Sequence, residues 1–152
     1  MRRDPTTLPG RPCSLAAALD VVGDRWALLV VREVAYGNHQ FSQIARNTGA
    51  PRDRLTARLK DLVAAGVLTR GTGRHDGYHL TEAGRDLSTA MRALLDWGDR
   101  WVVTTPPVRL CHHDHELHAK TVCATCGEDV HGVDVSREQL TPGWTIAGRE
   151  TP

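Results

Sequence analysis

The residues best equipped for chemistry lie near the C-terminus, in Cys111-His-His-Asp-His115-Glu-Leu-His118 and then Cys123-Ala-Thr-Cys126-Gly127. Two cysteines three apart, with glycine after the second, can turn both sulfurs toward one cation, as in a zinc knuckle. Cys111 offers a third sulfur and a histidine the fourth ligand, which would close a tetrahedral Cys3His site. His112, His113, His115, His118 and His131, five of the eight histidines, crowd this stretch, so the fourth ligand is ambiguous. His113 is the first choice and His115 the next, because in an extended segment both share a face with Cys111. Four ligands make one structural zinc ion the expected cofactor. Three would leave a position open for hydrolysis or metal sensing. A dithiol switch at Cys123 and Cys126 is the competing use of the pair in a reducing compartment. Beyond these groups the sequence offers little that supports an enzyme.

A different chemistry is written between Phe41 and Leu80, where seven cations (Arg46, Arg52, Arg54, Arg58, Lys60, Arg70, Arg74) face three carboxylates (Asp53, Asp61, Asp76), a net of +4. The whole 152-residue chain carries only +1. From Cys111 onward three cations face seven carboxylates, a net of −4. A basic middle and an acidic tail point to different partners, and a polyanion such as DNA suits the middle. The remaining cysteine, Cys13, lies beside Arg11 and just ahead of a predicted helix. Both neighbours favour the thiolate over the thiol.

These groups need a scaffold. With 40% hydrophobic residues but only four Trp, two Tyr and one Phe, the core must rest on Leu, Val and Ala. The length suits one domain with a small appendage. No apolar run approaches the roughly 20 residues that span a bilayer, and the first residues lack the apolar stretch of a secretory signal. A cytoplasmic protein without a membrane partner is expected.

Residues 1–12 read as a disordered arm. Apolar residues at Leu15, Leu19, Val22, Trp26, Leu29, Val30 and Val34 keep helical spacing, broken at Gly23-Asp24. Two helices follow, about Ser14–Val22 with Ser14 as cap and Arg25–Tyr36. A short helix over Phe41–Thr48 ends at Gly49. Pro51 opens a stronger helix to Ala65 with Leu55, Leu59, Leu62 and Val63 as its apolar stripe. Strands Val67–Arg70 and Tyr78–Leu80 flank a loop with three glycines. Thr81 caps a long helix, about Glu82–Val103, with a stripe of Leu87, Met91, Leu94, Leu95 and Trp101, and Thr105-Pro106-Pro107 ends it. The expected fold is mainly α with a small β-hairpin: a winged helix-turn-helix over 13–105, a short Cys/His-rich appendage over 108–140 and a disordered end over 141–152.

In a winged helix-turn-helix the second helix of the motif enters the major groove. Residues near its start reach base edges, so Arg52, Asp53 and Thr56 are the candidate readers. Arg54, Arg58 and Lys60 suit phosphates. Arg74 and His75 at the hairpin tip extend toward a neighbouring groove or backbone. A charged face alone is most often a solvated face; the sign bias and the order of cap, turn and hairpin favour DNA.

The runs Cys13-Ser-Leu, Ala18-Leu-Asp-Val-Val-Gly-Asp-Arg-Trp26-Ala-Leu-Leu-Val-Val-Arg32, Phe41-Ser-Gln-Ile, Leu55-Thr-Ala-Arg-Leu-Lys-Asp-Leu62, Gly66-Val-Leu-Thr-Arg70 and Tyr78-His-Leu-Thr-Glu-Ala-Gly84 together resemble the HxlR-type winged helix-turn-helix regulators over about residues 13–103. The hairpin loop is several residues shorter than is usual there. The resemblance implies a homodimer on a near-palindromic DNA operator, joined through the first and last helices, here Leu15, Leu19, Leu87, Met91, Leu94 and Trp101. It also implies a sensor of electrophiles or oxidants at Cys13. The alternative function is a zinc-stabilised protein-protein interaction module that meets its partner through the acidic tail.

Overall fold

The computed structural model describes residues 4–73 and 76–149, which fall into two compact units, one up to Arg100 and one from Trp101 onward. The first unit holds helices α1 (Ser14–Val22), α2 (Arg25–Ala35), α3 (Phe41–Thr48) and α4 (Arg52–Ala64), then strands β1 (Leu68–Arg70) and β2 (Tyr78–Leu80), then α5 (Glu82–Trp101), whose last residue belongs to the second unit. This is a winged helix-turn-helix, as the residue spacing predicts.

Boundaries shift by a residue or two, for local reasons. Cys13, not Ser14, occupies the cap position of α1, because its backbone is the last extended one (φ −152°, ψ 126°). Pro51 stands one residue ahead of α4 rather than inside it, at φ −54° and ψ 140°, and its carbonyl accepts the Leu55 N–H at 2.9 Å. Pro5–Thr7, inside the expected arm, forms a 3-10 turn capped by the Asp4 carboxylate. Asp24 caps α2 by accepting the Trp26 N–H at 2.9 Å.

The apolar stripe of α4 fills the centre of the core. Leu55, Leu59 and Leu62 are buried in one cluster with Val30, Val31 and Val34 of α2, Ile44 of α3 and Leu68 of β1. Burying each such side chain is worth roughly 1.5–3 kcal/mol, so α4 is held by its underside. Gly49 closes α3 in the left-handed conformation (φ 68°), where a side chain would be strained, and so sets the turn between α3 and α4.

The wing is tied down at its base. Leu68 pairs with Leu80, Thr69 with His79 and Arg70 with Tyr78. The Tyr78 N–H donates to the His39 carbonyl at 2.9 Å and the His39 ring Nδ1 lies 2.8 Å from the Tyr78 carbonyl, so the segment entering α3 joins the edge of β2. The His39 ring stacks on His79 at 4.6 Å between centroids. Thr81 caps α5, accepting the Gly84 N–H at 3.2 Å while its hydroxyl donates to the Gly66 carbonyl at 2.6 Å. A Cβ on the buried Gly84 would collide with the Val67 carbonyl, so only glycine lets α5 start this close to the residue entering β1.

The second unit is built differently. It contains a hairpin of β3 (Cys111–His112) and β4 (His115–Glu116), and a turn centred on Cys123–Cys126 with a bridge from Val122 to Asp129. No described residue from Trp101 to Arg149 is buried.

Candidate nucleic-acid interface

The outer side of α4 follows from its buried side. At about 100° per residue, the positions opposite Leu55, Leu59 and Leu62 are Asp53, Ala57 and Lys60, with Arg54 and Thr56 flanking them. All five are exposed. Arg52 and Arg58 stand nearer the buried stripe. The Arg52 guanidinium lies 5.1 Å from the centroid of the Phe41 ring on α3. Such cation–π contact fixes a side chain without neutralising it. Arg58 is half-buried and pairs with Asp61 at 2.9 Å. The Thr56 hydroxyl donates to the Arg52 carbonyl at 2.8 Å, which leaves its lone pairs and methyl group to other contacts. Arg54 and Lys60 make no ion pair with another described residue. Arg74 and His75 lie outside the described residues.

Between α2 and α3 sits a group that residue spacing does not single out. Glu33 of α2 is a buried carboxylate, 4% exposed. It accepts hydrogen bonds from Arg32 at 2.7 Å, from Asn38 in the turn before α3 at 2.9 Å and from Asn47 on α3 at 2.9 Å. Burial pushes its pKa up, but the bonds from Asn47, Arg32 and Asn38 outweigh that and hold it below its ordinary value. Glu33 therefore fixes α3, and through Gly49 the start of α4. Its two asparagine partners are five and fourteen residues away, so only the fold reveals them.

The six expected dimer residues divide. Leu87 and Met91 are half-buried against the core of their own chain. Leu15, Leu19, Leu94 and Trp101 are 65%, 54%, 56% and 70% exposed. Trp97, at 58% exposed, belongs with them and was missed, although Leu94, Trp97 and Trp101 keep i, i+3, i+7 spacing. Cys13 is a free, half-buried thiol whose carbonyl accepts the Ala17 N–H at 3.1 Å.

Residues 21–106, more than half the chain, match the HxlR-like helix-turn-helix family. This chain belongs to that family. A relative, an uncharacterised HTH-type transcriptional regulator of Mycobacterium tuberculosis, is 42% identical over 134 residues, covering 82% of this chain and 84% of its own. The crystal structure of PA1607, described as a candidate transcription factor, is 30% identical, has a TM-score of 0.75 and covers 84% of this chain and 94% of that one. The quinone-bound YodB of Bacillus subtilis is 25% identical with a TM-score of 0.51, covering 58% of this chain and 97% of that one. The HxlR-like chain thus resembles HTH transcriptional regulators in both sequence and fold. No helix among the described residues is long and apolar enough to cross a membrane.

In the second unit the four expected metal ligands are not gathered. Among the described residues no three His, Cys, Asp or Glu side chains surround a common point. Cys123 and Cys126 share one turn, where the N–H groups of Cys126 and Thr125 donate to the Cys123 sulfur and pull its thiol pKa down to about 7. Cys111 is in β3, and His113 occupies a left-handed position in the β3–β4 turn (φ 56°) with its ring 4.1 Å from that of His112.

Proposed function

We propose that this HxlR-like chain is a homodimeric transcriptional regulator, not an enzyme, that reads a near-palindromic operator through α4 in the cytoplasm. The observation that carries the reading is the exposed cationic side of α4 set over a buried leucine underside, with the wing fastened beside it. Asp53, Thr56 and Arg52 are the base readers, and Arg54, Arg58 and Lys60 the phosphate anchors. The Phe41 ring preorganises Arg52 at the helix start, where base edges come within reach. Selection of bound sequences from random duplexes tests this. An inverted repeat with half-sites about one helical turn apart is expected, and recovery of no preferred sequence would contradict it.

The dimer is supported by the exposure of Leu15 and Leu19 on α1 and of Leu94, Trp97 and Trp101 on α5, since large apolar side chains left in water favour a partner. Cys13 precedes Leu15 by two residues, so an electrophile or oxidant captured at its sulfur would disturb that contact. The quinone bound to YodB is that protein's ligand; here it supplies the class of effector to try.

A further inference from the structure

The tail poses a physical problem. A segment of this length normally folds by burying apolar surface, yet no described residue between Trp101 and Arg149 is buried, and Val133 and Leu140 are 95% and 83% exposed. The backbone is nonetheless organised. The Leu117 N–H donates to the Leu110 carbonyl at 2.9 Å, closing the β3–β4 hairpin. The Cys123 N–H donates to the Glu128 carbonyl, and the Val130 N–H to that of Thr121, each at 2.9 Å. Exposed hydrogen bonds of this kind contribute little net stability. Units too small for a core usually depend on a disulfide or a metal, and all four cysteines are free.

The Cys123 turn has the form that chelation needs. The Gly127 N–H donates to the Cys123 carbonyl at 2.8 Å, and Gly127 is left-handed at φ 79°, which folds the chain back on itself. Cys123 and Cys126 stand at either end of this turn, three residues apart, so two sulfurs come from one tight segment. The β3–β4 hairpin carries Cys111 and three imidazoles, with His112 and His115 centroids 5.7 Å apart and His113 and His115 6.5 Å apart. Three thiolates and an imidazole select zinc over the hard cations.

We propose that Cys123 and Cys126, with Cys111 and one imidazole of the β3–β4 hairpin, bind a structural zinc ion that draws the hairpin and the cysteine turn of the tail together. Each cysteine releases its thiol proton on ligation, and the binding energy becomes folding energy. The site stands independently of the DNA reading.

The test is made on the full chain, purified without chelators and under reducing conditions, with metal content and cobalt(II) titration as readouts. About one zinc per chain is expected, together with the visible ligand-field absorption of tetrahedral thiolate-bound cobalt. Zinc added to the reduced apo protein should protect residues 101–149 from protease. Cys123→Ser and Cys111→Ser should each lose the metal, while Cys13→Ser keeps it. Absence of tight metal and of the cobalt spectrum would overturn the proposal, as would retention of metal in Cys123→Ser. Metal-free protein that carries a Cys123–Cys126 disulfide and takes up no zinc after reduction would also overturn it, assigning the pair to redox chemistry instead.

Discussion

The winged helix unit and the tail solve the same problem by opposite means. In the first, Leu55, Leu59, Leu62, Ile44 and Leu68 vanish from solvent and hold a charged helix face in place. In the second, the turns are well defined but nothing described there is buried beneath them. A surface meant to meet DNA needs a rigid underside, because base contacts tolerate little displacement; a tail without one is free to gain its order from a ligand.

The largest effect expected from breaking this contrast is in the core. Leu59→Ala should cost about 2–5 kcal/mol in urea unfolding, whereas Leu140→Ala in the tail should stay within about 0.5 kcal/mol. Comparable losses would mean that the tail is packed after all.

Glu33→Ala comes next. It strands the amides of Asn38 and Asn47, and about 2–4 kcal/mol should be lost. Because its carboxyl is held below its ordinary value of 4.5, its contribution is present above that pH and fades as pH falls through the folded-state value. Glu33→Gln should therefore flatten the acid side of a melting-temperature profile taken from about pH 7 to about pH 3. An unchanged profile would remove Glu33 as the tie between α2 and α3.

At the proposed dimer surface, Leu94→Glu should give a monomer in sedimentation while leaving the chain folded by circular dichroism. An intact dimer would move the contact elsewhere. The smallest effect is Lys60→Ala, which should weaken binding to all sequences alike and lower the salt slope by about 1.

Much of the winged helix unit is legible in the sequence. The leucine spacing of α4, the glycine stops and the cap at Thr81 are local signals, and local signals survive into the fold. The Glu33 network is not legible, because it depends on Asn38 and Asn47 arriving at one carboxylate from separate elements. The stacking of His39 on His79 joins two distant segments in the same way. Trp97 is legible as well, since it stands three residues after Leu94 and four before Trp101. The ligand types of the tail are visible in the sequence, but among the described residues only Cys123 and Cys126 share one turn, since no core forces the β3–β4 hairpin against it.

Whether the exposed side of α4 carries the DNA contact is decided most directly by the affinity of a selected operator duplex, measured against salt for the native chain and for the double variant Arg54→Ala with Lys60→Ala. Weaker binding at every salt concentration and a slope shallower by about 2 are expected for the double variant. Equal affinity and an equal slope would contradict that role for α4.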